Sequence, residues 1–190
     1  MRPVSLVNFK RLHQAAIVPR YATEGSVGLD LFCHSRVTLD PGEVTFIGIG
    51  WALELPEGYE AQIRARSGLS SKRMLILPNG IGTIDTDYRG ELVVPLLNLG
   101  HLRELMQALD AEAETADSLN SVSLSFLPPP GQMAWQHLHQ SHKNAIITLD
   151  AGTAIAQLVI APVAHAAVTI SDDLSVTGRG AGGFGSTGCC

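Results

Sequence analysis

The chain has 190 residues, 45% of them hydrophobic, with a formal net charge of −5 and a pI near 5.7. That length supports one well-buried core and is short for two. The acidic balance argues against non-specific binding to DNA, RNA or an anionic membrane, so a polyphosphate ligand needs a local cluster of Arg, Lys or metal. Three cysteines, Cys33, Cys189 and Cys190, make no disulfide framework and fit a reducing cytosol. Met1 to Lys10 holds no apolar stretch long enough for a signal peptide. The expected location is therefore cytoplasmic (nuclear or host cytosol for a viral chain), not secreted. The most apolar stretch, 154–170, is broken by Gln157, Pro162 and His165 and falls short of the roughly 20 residues a bilayer span needs. It is predicted to be core, with no membrane role.

In chain order, short apolar segments alternate with turn signals. Asp40-Pro41-Gly42-Glu43 and Pro56-Glu57-Gly58-Tyr59 read as turns flanking the strands Val44–Ile49 and Trp51–Leu55. Ala61, Ile63 and Ala65 then alternate with Gln62, Arg64 and Arg66, the period of a half-buried strand. Asn79-Gly80, between the apolar runs Met74–Leu77 and Ile81–Ile84, predicts a hairpin. Leu92–Leu97 and Ile155–Ile160 read as further buried strands, and Asp150-Ala151-Gly152 as a turn. The spacing predicts an all-β, jelly-roll-like barrel or sandwich. One stretch, about 101–144, departs from it. Leu102, Leu105, Met106 and Leu109 follow a helical period, Ser121 to Phe126 alternates, and His137, His139 and His142 follow a proline run. It reads as a partly helical insertion, since Leu92–Asn98 and Ile146–Leu149 join naturally without it and loop-closure cost grows slowly with length. The histidines lack companion Cys or carboxylates in a ligand pattern, so packing on the barrel or binding a protein partner is the expected role. The predicted organisation is a single interrupted β domain over 1–178 and a glycine-rich arm over 179–190.

Several residues carry candidate chemistry. Asp85 follows the apolar Ile84, where a carboxylate can orient and deprotonate a water; capping a turn is the alternative. Asp87, two positions on, faces the same side on a strand, so spacing alone does not choose between them. Tyr88 offers a ring for a sugar or for the core edge. Arg66-Ser67-Gly68 ends a strand and can offer a hydroxyl, an amide and a charge to phosphate oxygens. Gln157 places an amide on an apolar strand, where it needs partners. Lys72 and Arg73 read as solvated or subunit-contact charges. In the tail, Arg179, Phe184, Ser186 and Thr187 are spaced by glycines. Such a mix can close on a nucleotide as an arm or remain a disordered tail.

Five segments share an order and spacing. They are Gly25-Ser26-Val27-Gly28-Leu29-Asp30-Leu31, Arg66-Ser67-Gly68-Leu69, the stretch from Asn79 to Glu91, Gly152-Thr153-Ala154-Ile155-Ala156-Gln157-Leu158-Val159, and the tail from Arg179 to Gly188. Together they resemble the five motifs of the trimeric dUTP diphosphatases (dUTPases), over roughly 19–100 and 146–188. The resemblance implies hydrolysis of dUTP to dUMP and pyrophosphate, with Asp85 activating the water that attacks the α-phosphorus. It implies a uracil site at Asn79, Gly82, Thr83 and Ile84, and Tyr88 as the group that excludes a 2′-hydroxyl. Arg66, Ser67, Gly68, Gln157, Arg179, Gly185, Ser186 and Thr187 are implied around the phosphates, and Phe184 on the base. Mg²⁺ is the implied cofactor, with Asp30 reaching it through water, and a homotrimer with shared active sites is the implied assembly. Ala154 departs from the pattern, standing where the family commonly has Arg or Lys. Two other readings compete: a dCTP deaminase of the same fold, and a nucleotide-sensing interaction module acting through 101–144.

Overall fold

A computed structural model describes residues 6–100, 102 and 145–183. The insertion read at 101–144 therefore lies, apart from Leu102, outside the described residues, as does the tail from Phe184 onward.

The described residues form twelve strands and a seven-residue helix. In order these are β1 (Asn8–Arg11), β2 (Arg20–Tyr21), β3 (Leu29–Phe32), β4 (Val37–Leu39), β5 (Val44–Gly48), β6 (Trp51–Glu54), β7 (Tyr59–Ala65), α1 (Ser67–Arg73), β8 (Leu75–Ile76), β9 (Ile81–Ile84), β10 (Val93–Asn98), β11 (Ile147–Leu149) and β12 (Ala154–Pro162). The largest sheet has the order β2-β3-β12-β7-β9, and a three-stranded sheet has the order β5-β10-β8. All strand pairs are antiparallel. One core joins them, with Leu31, Leu39, Ile49, Leu53, Ile63 and Leu158 essentially without solvent contact. The predicted all-β class is what forms, but the stretch 154–170 is core only in part: 154–162 is the strand β12, whereas 163–170 forms no strand and exposes Val168 and Ile170, because it lies past the last pairing of β12 with β7.

Two local expectations change. Asn79-Gly80 does make a tight turn, with Gly80 at φ +70 and its N–H donating to the Leu77 carbonyl (3.0 Å). The flanking strands do not pair as a hairpin, because β8 joins β10 and β9 joins β7. The turn hands the chain from one sheet to the other. Arg66-Ser67-Gly68 opens α1 rather than a simple strand-end turn. The helix buries no side chain, so it leaves no apolar period to read. Met74 closes it in a left-handed conformation, its N–H returning to the Leu69 carbonyl.

Asn98, fully buried, joins the points where the chain departs after β10 and returns before β11. Its amide donates to the carbonyls of Leu39 (3.0 Å) and Ala145 (2.9 Å), and its side-chain oxygen accepts from Gly100 N–H (2.8 Å). Gly100 lies against Ala145, whose carbonyl would stand 3.2 Å from a Cβ at position 100.

Candidate functional site

Side chains from three motifs meet on the large sheet. Asp30 on β3 pairs in register with Gln157 on β12, and Gln157 with Arg64 on β7. Asp30 is 7% exposed, and a buried carboxylate needs a charge partner and hydrogen bonds. Arg66 Nε stands 3.4 Å from its Oδ1, and Gln157 Nε2 donates to the same oxygen (3.2 Å). Arg66 also donates through a terminal nitrogen to the Ala154 carbonyl (2.9 Å). The guanidinium is thus held from two sides and stays partly exposed. Gly28 is needed beside this cluster, since a Cβ there would stand 3.0 Å from Gln157 Cβ. Ser67 and Gly68 are exposed at the start of α1.

The second group lies at the β9 edge of the same sheet. β9 pairs only with β7 in that sheet, Ile84 opposite Ala61 and Gly82 opposite Ile63. Gly82 packs closely, since a Cβ there would stand 3.2 Å from Ile63 Cβ and 3.6 Å from Asn79 Nδ2. Thr83 and Asp85 are exposed and Ile84 is half-buried. Asp85 lies just past the end of β9, and its carbonyl accepts the Tyr88 N–H (3.2 Å). Asp87 therefore sits within a turn, and the strand alternation that put it on Asp85's side does not extend to it. Tyr88, 41% exposed, donates its hydroxyl to the Glu91 carbonyl (2.9 Å).

Register separates the two groups. Asp85 continues β9 beyond the Ile84–Ala61 pair, while Arg66 follows the far end of β7. Six residues at about 3.3 Å each put them roughly 20 Å apart on one chain. That exceeds the reach of a single triphosphate.

Arg179 folds locally, its Nε donating to the Gly182 carbonyl (2.7 Å). Phe184, Gly185, Ser186 and Thr187 lie outside the described residues. Among the described residues no three or more His, Cys, Asp or Glu gather to hold a metal ion, and no helix is long and apolar enough to cross a membrane. The histidines at 137, 139 and 142 are outside that set. Burial pushes the Cys33 thiol pKa up from its ordinary value of 9.0, against hydrogen bonds at Thr153 and Gly152 that lower it.

Sequence reading missed Asn98 and Glu91. Each left a signal: Asn98 is a polar residue ending an apolar run, and Glu91 immediately precedes one.

The dUTPase family model matches residues 14–103 and 139–188. A deoxyuridine 5'-triphosphate nucleotidohydrolase of Hydrogenobaculum sp. is 41% identical over 94% of this chain and 95% of its own length. One from Anaeromyxobacter sp. is 38% identical over 90% and 87% respectively. Among solved structures, the Staphylococcus bacteriophage 80alpha dUTPase with dUPNHPP superposes at a TM-score of 0.71 and 25% identity, covering 98% of this chain and all of that one. The jelly-roll-like β fold and these relatives define a hydrolase of nucleotide metabolism. The chain belongs to the dUTPase family and is a dUTP diphosphatase. The deaminase reading is not favoured by these relationships.

Proposed function

We propose that the chain hydrolyses dUTP to dUMP and pyrophosphate in a site assembled between copies of itself. The observation that carries the second half is the β7–β9 register, which puts Asp85 past one end of the pair and Arg66 past the other, roughly 20 Å of backbone apart at ordinary strand rise. One copy offers Asn79, Gly82, Thr83 and Ile84 to uracil and the Tyr88 ring to the sugar. Another offers Arg66, Ser67, Gly68 and Gln157 to the phosphates. Asp85 takes a proton from a water whose oxygen bonds to the α-phosphorus in line, while the bond to the α–β bridging oxygen breaks and pyrophosphate leaves. The arm from Arg179, with Phe184 on the base and Gly185, Ser186 and Thr187 on phosphate, completes the enclosure.

Exposed apolar surface among the described residues supports association of copies, proposed here as a homotrimer. On the outer face of the β5–β10 pair, Phe46 is 72% exposed opposite Pro95, and Val44 lies opposite Leu97. Strands apolar on both faces call for a cover. After the Val163 N–H bond to the Gly58 carbonyl (2.9 Å), Val168, Ile170, Leu174 and Val176 are all exposed. A neighbouring copy would cover both, with the arm continuing across it. The adjacent positions of Gly100 and Ala145 support reading 101–144 as an inserted unit, for which binding a protein partner is the proposed role.

Magnesium is the proposed cofactor, and the donor set bears on how it is held. Asp30 Oδ1 is already ion-paired with Arg66 and accepts from Gln157, which suits a carboxylate reaching the ion through water and not as one member of a protein cage. Bound with the triphosphate, Mg²⁺ would neutralise phosphate charge.

The test mixes two inactive variants. Asp85→Asn should keep dUTP affinity and lose most turnover, and Arg66→Ala should bind phosphates poorly. Co-refolded, they should regain activity, because some mixed sites combine an intact Asp85 with an intact Arg66. No regain would place each site within one chain, and normal turnover by Asp85→Asn would remove the proposed base.

A further inference from the structure

Tyr88 does not stand free at the lip of the site. Its ring spans the next two residues so that its hydroxyl reaches the Glu91 carbonyl (2.9 Å). Gly90 lies directly beneath: a Cβ there would run into the Tyr88 hydroxyl and stand 2.6 Å from its Cζ. The phenol is committed to the protein, leaving the ring as the surface offered to a ligand. The ring's placement then depends on what holds residue 91.

Glu91 is held at both ends. Its Oε1 accepts the N–H of Gly50 (2.8 Å), a glycine at φ +75 between β5 and β6. Any Cβ at Gly48 would collide with that same carboxylate oxygen. One residue on, Leu92 N–H donates to the Trp51 carbonyl (2.8 Å), and the Leu92 carbonyl accepts from Ile49 N–H (3.1 Å). In a trans peptide the C=O and the following N–H point in opposite directions. The Leu92 N–H bond inward therefore turns the Glu91 carbonyl outward, toward Tyr88. The carboxylate fixes the same residue to the glycine corner.

From this geometry we infer that Glu91 is a positioning residue for sugar discrimination. It transmits the rigid Gly48–Trp51 corner to the Tyr88 ring, so that a 2′-hydroxyl meets a wall instead of a movable side chain. The inference rests on the proposed role of Tyr88 and adds what makes that wall firm. A specificity gate that yields by a fraction of an ångström readmits the larger substrate.

The experiment compares kcat/KM for dUTP and UTP in the wild type, Glu91→Ala, Glu91→Gln and Tyr88→Phe, at saturating Mg²⁺. Removing a part-buried hydrogen bond should cut the dUTP preference of Glu91→Ala about tenfold, chiefly through faster UTP hydrolysis. Glu91→Gln keeps an acceptor for Gly50 N–H and should retain the preference. Tyr88→Phe cuts only the link to the Glu91 carbonyl and should lose preference in the same direction. If Glu91→Ala does not fold, Tyr88→Phe decides: a lowered preference supports the inference and an unchanged one overturns it. An unchanged preference in a folded Glu91→Ala, or equal loss in Glu91→Gln, also overturns it. A wild type that hydrolyses UTP as readily as dUTP would instead strike the role of Tyr88 itself, and this inference with it.

Discussion

Asn98→Ala tests whether one buried amide holds the two ends of the 101–144 segment to the barrel. The wild-type side chain makes three hydrogen bonds, two given to the Leu39 and Ala145 carbonyls and one accepted from Gly100 N–H. The alanine makes none of them. At about 1 kcal/mol net for each bond, the loss is about 3 kcal/mol, and more if the carbonyls stay dry after truncation. Set against the 5–15 kcal/mol that typically separates folded from unfolded domains, about 3 kcal/mol is a large fraction. Urea unfolding of the two proteins at equal concentration should show a lower midpoint for Asn98→Ala with an unchanged m-value. Dilute-urea activity per folded molecule should stay near wild type, since Asn98 belongs to neither cluster of the site. A stability change below about 0.5 kcal/mol, the scatter of ordinary surface substitutions, would refute the clamp. An altered m-value would mean that the substitution changed how much surface unfolding exposes.

Asp30→Asn keeps an acceptor for Gln157 and removes the charge beside Arg66; kcat/KM for dUTP should fall about tenfold, as expected for loss of a charge-assisted contact. The Mg²⁺ concentration for half-maximal rate should rise as well, and an unchanged value would leave Asp30 only its hold on Arg66. For Cys33 the sign follows from a thiol pKa raised by burial above 9.0. Above that value the unfolded chain releases the proton before the folded one does, so the contribution is fully present below it and lost as pH rises. Urea midpoints should therefore decline above pH 9.0, and less steeply in Cys33→Ala; parallel declines would remove Cys33 as the cause.

Much of the strand plan was legible because a half-buried strand writes its period into consecutive residues. Ala61 and Ile63 are buried and Arg64 exposed on β7, as their alternation predicts, although Ala65 at the strand end is exposed. Turn chemistry was equally local: Gly42, Gly58, Gly80 and Gly152, each in a stretch read as a turn or hairpin, all take positive φ. Strand partners were not local. Asn79-Gly80 specifies a turn but not that β8 and β9 go to different sheets, because pairing is chosen by burial against distant residues. Helix α1 escaped for the opposite reason, having only Leu69 packed against the core and so no apolar period to read.

The candidate site divides the same way. Sequence by itself determined the residue types: a carboxylate after Ile84, a tyrosine three residues on, and Arg66, Asp30 and Gln157 in separate segments. Their order was enough to carry the resemblance to a family. Only the tertiary structure decided that Asp30, Arg66 and Gln157 meet at one carboxylate oxygen, and that Asp85 lies at the far edge of the same sheet. It also decided that Tyr88 leans on Glu91 and Glu91 on Gly50. Apart from the local Tyr88–Glu91 bond, these contacts join residues 36 to 127 positions apart or depend on strand register, and neither is encoded in the spacing of residues along the chain.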